Sequence, residues 1–547
     1  MDRRFGSSWR HALGMLMATT ILAGGASVAL AKDDGDAPTK TPIKHLVVIF
    51  QENVSFDHYF ATYPVAANPD GEPRFVARDD TPTVNGLSGR LLTDNPNGAN
   101  PIRLDRSQAV TCDNDHDYTD EQKSVDGGLL DKFTILSCSG TIGLNYYDGN
   151  TTTAMWNYAQ HFALNQNSFG TTFGPSTPGA LNLVSGQMHA IGQLVFINDA
   201  ADDLNHGDAT LSASTITGDA DPIFDDCGAP DQAGFQAKGG ADNHNIGDLL
   251  NAKHITWGWF QGGFAPTQPA TFNPDGSVKT PAVCGATTTG HPGVDPGNPG
   301  DPVHAPIKAY SAHHEPFMYY DTDANTHHLP PSSEAMVGKT DQAKHQYDLS
   351  LFFDAMEDNR LPAVSFIKAP RAEDGHPGNS DPLSEQLFVV DLVNKLQKSP
   401  EWKETAVMIL WDDSDGWYDH VTGPIVNKSN AVTDALTGND CGTPAPTAYL
   451  GRCGYGPRLP LLVVSPWAKR NFVDSTLTDQ SSPIRFVEDN WNVGRIDDLD
   501  HPGGTPEGQQ AFDAIAGSLL NMFDFDDPPH LDPVILNPIT GEVVDGD

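Results

Sequence analysis

Carboxylates, an amide, hydroxyls and imidazoles recur in this chain wherever an apolar run gives out. The stretch "FQENVSFDHYF" sets Glu52 and Asn53 directly after such a run, and "ILWDDSDGWYDH" does the same for Asp412 and Asp413. A third run leads into "PRAEDGHPGNSDP", which carries His376. "FGPSTPGALN" holds Ser176 and Thr177 in a Gly/Pro-framed turn, "CDNDHDYTDEQ" contains His116, and "YSAHHEPFMYY" contains the pair His313-His314. Glu, Asn and Asp offer hard oxygen atoms suited to one divalent cation, Mg, Ca or Mn, with Zn admitted if histidine joins. A hydroxyl held beside such a cation can be deprotonated and become a nucleophile. Imidazoles can transfer protons and supply local positive charge.

Each feature alone has a blander reading. An acidic strand end is more often a solvated loop, Ser and Thr are common in turns, and a lone loop histidine is more often structural. Convergence is the stronger sign, and it depends on the elements that carry the residues. Strand-like apolar runs recur at 45–50, 255–260, 363–369, 406–411 and 459–465. Helical spacing marks "TTTAMWNYAQHFALNQ", with threonines suited to capping its start, "SEQLFVVDLVNKLQKS", with a Pro after it, and "FDAIAGSLLNMF". Continuous apolar strands separated by helices predict an α/β fold: a doubly wound, mainly parallel sheet with helices on both faces. In such a sheet ligands bind beyond the carboxyl ends of the strands. Three separate runs therefore deliver Glu52-Asn53, Asp412-Asp413 and the His376 loop toward one edge.

The rest of the chain bounds the setting. Its 547 residues suffice for one large domain, and 52 Gly and 42 Pro imply many long connections. Arg3, Arg4 and Arg10, the apolar stretch after them and Ala29-Leu30-Ala31 predict a signal peptide over 1–31, which places the mature protein outside the cytoplasm, secreted or periplasmic. "RRFG" is compatible with twin-arginine export. A polar linker is expected over 32–42, a main domain over 43–525 with a Gly/Pro-rich insertion at 262–306, and an extended tail over 526–547. No later run is long and apolar enough to span a membrane. The six cysteines fit an oxidising compartment, with sequence neighbours expected to pair, above all Cys441–Cys453, which closes a short loop. A formal charge of −40 argues against nucleic acid as a partner and against electrostatic docking on anionic lipid. An anionic substrate would have to be attracted locally.

"QENVSFDHYF" resembles a motif of the bacterial phosphoesterase family, which contains secreted phospholipases C and acid phosphatases and belongs to the alkaline-phosphatase-like superfamily. The resemblance continues in order through "NDHDYTDEQ", "GPSTP", "HHEPFMYY", "DGHPGNSDP", "WDDSDGWYDHV" and "GPRLPLLVVSPW", from about residue 43 to 493. It implies a single metal held by Glu52, Asn53, Asp412 and Asp413, with Ser176 as a metal-bound nucleophile that forms a covalent phosphoenzyme. His116, His314 and His376, and with them His313, would grip phosphate oxygens and protonate the leaving group.

This chain departs from the family pattern in three places. Pro178-Gly179-Ala180 stands where the family usually has Pro-Asn-Arg, Asp412-Asp413 where it has Asp-Glu, and His313 where many phospholipases C have Lys. Thr177 is a second nucleophile candidate. The expected function is a secreted metal-dependent phosphoesterase, foremost of the phospholipase C type acting on phospholipid at a membrane surface, and otherwise an acid phosphatase acting on monoesters. A non-catalytic, metal-stabilised binding protein is the reading of another class.

Overall fold

The computed structural model describes residues 37–188, 195–196, 216–228, 235–238, 243–290, 306–429, 441–443, 445–447, 452–506 and 508–544. The expected signal peptide, residues 32–36 of the linker and residues 291–305 of the insertion lie outside them. No helix among the described residues is long and apolar enough to cross a membrane.

The apolar runs form the centre of a nine-stranded sheet. Its strands are β1 (His45–Gln51), β2 (Ala163–Phe169), β3 (Trp257–Gln261), β4 (Gln346–Asp348), β5 (Val364–Lys368), β6 (Thr405–Trp411), β7 (Arg458–Val464), β8 (Phe472–Asp474) and β9 (Thr478–Asp479). They lie in the order β4-β3-β5-β1-β6-β7-β2-β8, and β9 also pairs with β2. All pairings are parallel except those of β7, which runs antiparallel to both neighbours. Every residue of β1, β5, β6 and β7 is buried, so both faces of the central sheet are covered, as an α/β fold requires. The expected fold class is the one found.

Register decides what meets at the edge. β1 lies between β5 and β6, with Ile49 opposite Ile367 and Gln51 opposite Trp411. Glu52 and Asp412, each one residue further on, must emerge side by side.

Short helices complete the frame: α1 (Phe56–Phe60), α2 (Thr153–His161), α3 (Ser176–Ser185) and α4 (Pro382–Lys398). The Asp381 side chain caps α4 by accepting from the Leu383 and Ser384 amides, and Pro382 occupies its first turn, where no N–H is needed.

Two expected helices are shorter than their spacing suggests. "TTTAMWNYAQHFALNQ" ends as a helix at His161, where Phe162 leaves helical geometry at φ −133° and ψ −140°, and Ala163–Phe169 becomes β2. Thr152 precedes the helix without a side-chain cap bond. "FDAIAGSLLNMF" splits into Phe512–Ile515 and a 3-10 turn at Leu519–Met522. Between them Gly517 packs so close to Leu477 O that a Cβ would overlap it.

The insertion carries a small ribbon, Thr271–Phe272 against Val278–Thr280. The tail, expected to be merely extended, packs on α4: Asn394 Nδ2 donates to Leu536 O and Gln397 Nε2 to Val534 O, each at 2.8 Å. The cysteines pair as sequence neighbours, Cys112–Cys138, Cys227–Cys284 and Cys441–Cys453.

Candidate active site

The ends of β1 and β6 are stitched together by the residues that follow them. Asn53 adopts the left-handed backbone region at φ +53°, which Asn tolerates better than most residues, and its N–H donates to Asp412 Oδ1 at 3.0 Å. Val54 N–H donates to Asp413 O at 2.8 Å. The Asp413 and Asp415 amides donate back to Asp412 Oδ1 and Asp413 Oδ1 at 2.9 and 2.7 Å. The acidic pair is thus held rigidly beside Glu52.

Ser176, the first residue of α3, aims its hydroxyl into this cluster. Its Oγ lies 3.1 Å from Asp413 Oδ2 and 3.3 Å from Glu52 Oε2. Thr177 turns the other way: its hydroxyl reaches His313 O at 3.5 Å and its N–H donates to Asp219 Oδ1 at 3.0 Å. Of the two candidates, Ser176 is the one facing the carboxylates.

The imidazoles surround them. His314 Nδ1 is 3.0 Å from Glu52 Oε1, and its ring meets His313 edge-on at 4.2 Å. His116 Nδ1–H donates to Asn114 O at 2.8 Å, which leaves Nε2 3.2 Å from Asn53 Nδ2, and the ring meets that of His376 at 5.9 Å. All the site residues named from sequence therefore form one contiguous, mostly buried group. Sequence reasoning missed Lys368, whose ammonium pairs with Glu52, together with Asp219, Asp221 and Asp374. Asp221 Oδ1 stands 3.4 Å from His313 Nδ1, and Asp374 Oδ1 accepts the His376 N–H at 3.0 Å. A lysine at the end of an otherwise apolar strand was the one available signal.

Burial makes the charges strongly interdependent. Burial pushes the Glu52 carboxyl up, but the Lys368 ammonium and His376 more than offset this and hold it below the usual range. Asp412 is pushed up to about 6 by burial and by Glu52 beside it. Burial lowers the His116 imidazole, yet Asp413, Asp415 and Asp113 outweigh it and keep it well above the histidine norm. His314 moves the opposite way, lowered by burial, His313 and Lys368.

The donor set fits a divalent cation. Asn53 Oδ1 and Asp412 Oδ2 are buried oxygens without a hydrogen-bond donor, although a buried acceptor left without one costs about 1–3 kcal/mol, and Glu52 Oε1 beside them faces the Lys368 ammonium and the His314 imidazole. Hard oxygens with unspent lone pairs, gathered around a serine hydroxyl, match the ligand preference of Mg, Ca or Mn. One departure from the family pattern also has a spatial reason here. A Cβ at Gly179 would overlap Asp412 O, so α3 sits closer to the Asp412-Asp413 loop than an Asn at that position would allow.

Residues 43–494 match the Phosphoesterase family, a span that includes every residue of this site. A non-hemolytic phospholipase C of Pseudomonas aeruginosa is 24% identical over 534 residues, covering 94% of this chain and 62% of its own length. A protein of the same description from Burkholderia pseudomallei is 33% identical over 176 residues, 32% of this chain and 24% of its own length. The chain thus spans 62% and 24% of the lengths of these two relatives. A solved structure described as a protein in the alkaline phosphatase superfamily from Vibrio parahaemolyticus aligns over 78% of this chain and 77% of that one. Its identity is 11% and its TM-score 0.26, too low to establish a common fold. By the extent of the family match, the chain belongs to the Phosphoesterase family.

Proposed function

We propose that the chain is an exported, metal-dependent phosphoester hydrolase of the phospholipase C type, with Ser176 as its nucleophile. The observation that carries this reading is the position of the Ser176 hydroxyl, 3.1 and 3.3 Å from the Asp413 and Glu52 carboxylates, in a cluster that includes two buried oxygens lacking a donor, Asn53 Oδ1 and Asp412 Oδ2. A divalent cation held by Glu52, Asn53, Asp412, Asp413 and Ser176 Oγ would acidify the hydroxyl and offset negative charge on phosphate.

The chain's own residues account for the remaining steps. Asp413 Oδ2 and Glu52 Oε2 are the acceptors within reach of the Ser176 proton. As Ser176 Oγ bonds to phosphorus, the bond from phosphorus to the alcohol oxygen breaks, and an imidazolium of His116 or His376 gives that oxygen a proton. Water then bonds to phosphorus, the Oγ–P bond breaks, and the hydroxyl is restored. His116, His313 and Lys368 offset charge on the other phosphate oxygens, where phosphoryl transfer is mainly assisted. The three disulfides support an oxidising, extracytoplasmic location.

Hydrolysis of monoesters is the second reading, favoured by His313 of the adjacent His313-His314 pair, whose imidazole is held above the histidine norm and adds positive charge suited to a dianion. The two are separated by comparing p-nitrophenylphosphorylcholine with p-nitrophenyl phosphate as substrates. Ser176→Ala tests the common core: turnover of both should fall by about a thousandfold or more in folded protein. Near-wild-type rates would end the proposal. Cation-dependent stability with no cleavage of either ester would point instead to the binding protein.

A further inference from the structure

We propose that Asp219 sets the charge preference of this site, holding a fixed negative charge that disfavours doubly charged phosphate groups. The inference rests on the phosphoester-hydrolase reading above and specifies its substrate class: singly charged phosphodiesters rather than monoesters.

Asp219 occupies the anion-binding end of a helix. Its Oδ1 accepts the Thr177 N–H at 3.0 Å. That amide directly follows Ser176 in the first turn of the ten-residue helix α3, where unpaired N–H groups and the helix dipole ordinarily favour a phosphate. The carboxylate of Asp219 already holds the donor closest in sequence to the nucleophile.

The two residues that follow it are held in place. Ala220 O accepts the Tyr319 hydroxyl, and Asp221 Oδ1 stands 3.4 Å from His313 Nδ1. Burial raises the Asp219 carboxyl, but His313, the Thr177 amide, His314 and His116 together bring it below the usual range. The group is therefore an anion lying among imidazoles proposed to bind phosphate. Asp219 and Asp221 share His313: Asp219 contributes the larger charge interaction and Asp221 the hydrogen bond, so two carboxylates face one imidazolium and negative charge remains in excess.

A fixed anion here repels a substrate in proportion to the substrate's charge. A phosphodiester carries one negative charge, whereas a monoester carries close to two above its second pKa of about 6. The same carboxylate therefore penalises monoesters more than diesters, while the imidazoles and Lys368 still attract both.

The test uses the full chain loaded with divalent cation, at a pH well above about 6 so that the monoester is a dianion. The specificity constants for p-nitrophenyl phosphate and the singly charged diester methyl p-nitrophenyl phosphate are measured for wild type, Asp219→Asn, Asp219→Ser and Ser176→Ala, with inhibition by inorganic phosphate. Asn keeps an oxygen for the Thr177 N–H, and Ser removes the charge with a different shape. Both should raise the monoester-to-diester ratio by about tenfold and tighten inhibition by phosphate to a similar extent. A ratio within about twofold of wild type, or parallel losses on both substrates, would overturn the role of Asp219. Ser176→Ala separates the two levels: if it abolishes turnover while Asp219→Asn leaves the ratio unmoved, the hydrolase reading stands and this inference fails. If Ser176→Ala retains full turnover, the underlying reading fails.

Discussion

Lys368 and Glu52 meet at the ends of two neighbouring parallel strands, with the Lys368 ammonium against the Glu52 carboxylate and 3.7 Å from Asp412 Oδ2 on the next strand. Lys368 is the last residue of β5, Glu52 and Asp412 directly follow β1 and β6, and all three are buried. Burial lowers the Lys368 ammonium, but Glu52 and Asp412 more than compensate, so it stays charged. The pair supplies part of the positive charge that a site rich in carboxylates needs.

Replacing Lys368 with Met should therefore be costly in a cation-dependent way. Two buried carboxylates would lose their permanent counter-charge, a change typically worth about 3–5 kcal/mol. A divalent cation bound by the same carboxylates would restore part of that. Thermal unfolding of Lys368→Met should drop sharply relative to wild type in chelator and markedly less with added divalent cation. An identical drop in both conditions would show that the ammonium and the metal site are not coupled.

A second buried pair braces the site from behind. Arg458 on β7 donates to Asp57 Oδ1 and Asp419 Oδ2, both at 3.0 Å, and its guanidinium lies 4.2 Å from the Phe56 ring centre. Asp57 belongs to α1, just after Asn53, and Asp419 follows the Asp412-Asp413 loop, so one guanidinium ties both ligand segments together. Arg458→Met should lower unfolding free energy by about 3–5 kcal/mol, because it removes the permanent counter-charge from two buried carboxylates and leaves Asp57 with His420. Arg458→Lys should recover only part of this, since a point charge cannot reproduce the planar fork. Equal stability of the Lys variant and wild type in urea unfolding would show that the fork geometry is unimportant.

Glu385 gives the fold a pH dependence of defined sign. It is buried on α4, where Tyr59 OH donates to Oε2 at 2.7 Å and Trp411 Nε1 to Oε1 at 2.8 Å. Burial, despite these neutral donors, pushes its carboxyl from 4.5 up to about 8. The folded state thus holds the proton more tightly than the unfolded state. The stability this brings is complete below about pH 4.5 and is lost as pH rises through about 8. In that window the slope is at most about 1.4 kcal/mol per pH unit. Chemical unfolding at stepped pH should show wild type losing stability relative to Glu385→Gln as pH rises. A difference independent of pH would exclude the shift.

The convergence of the site was legible in the sequence because runs such as Leu46–Phe50 and Ala406–Trp411 fit doubly buried strands, and parallel strands end at one edge. Lys368 was not, since a lysine closing an apolar run looks the same whether it reaches solvent or a carboxylate. Only the strand order β5-β1-β6 brings it to Glu52. Asp219 and Asp374 stood in "GDADP" and "RAEDGHPG", where acidic residues are too frequent for one to be singled out. β2 was hidden because Ala163–Phe169 continues the helical spacing that begins at Thr153, and its identity as a strand comes from pairing with β7 and β8. The reversed direction of β7 leaves no mark in composition, as an apolar run reads alike both ways.

Gly179 offers a test in which two effects predict opposite signs. Within α3, replacing Gly by Ala should stabilise the helix by roughly 0.5–1 kcal/mol if nothing opposes the new methyl group. Here that methyl would overlap the Asp412 carbonyl oxygen and lie 2.9 Å from Gln480 Nε2, which itself donates to that carbonyl. A backbone carbonyl cannot swing aside as a flexible side chain can, so relief must come from moving α3 or the Asp412-Asp413 loop. Overpacking of this kind costs about 1–3 kcal/mol, which outweighs the gain in propensity. Gly179→Ala should therefore be less stable than wild type and should lose hydrolytic rate, because the displaced elements carry Ser176 and the two aspartates. Unfolding and turnover measured on one preparation decide the matter: a variant both more stable and fully active would mean that α3 does not press on the ligand loop.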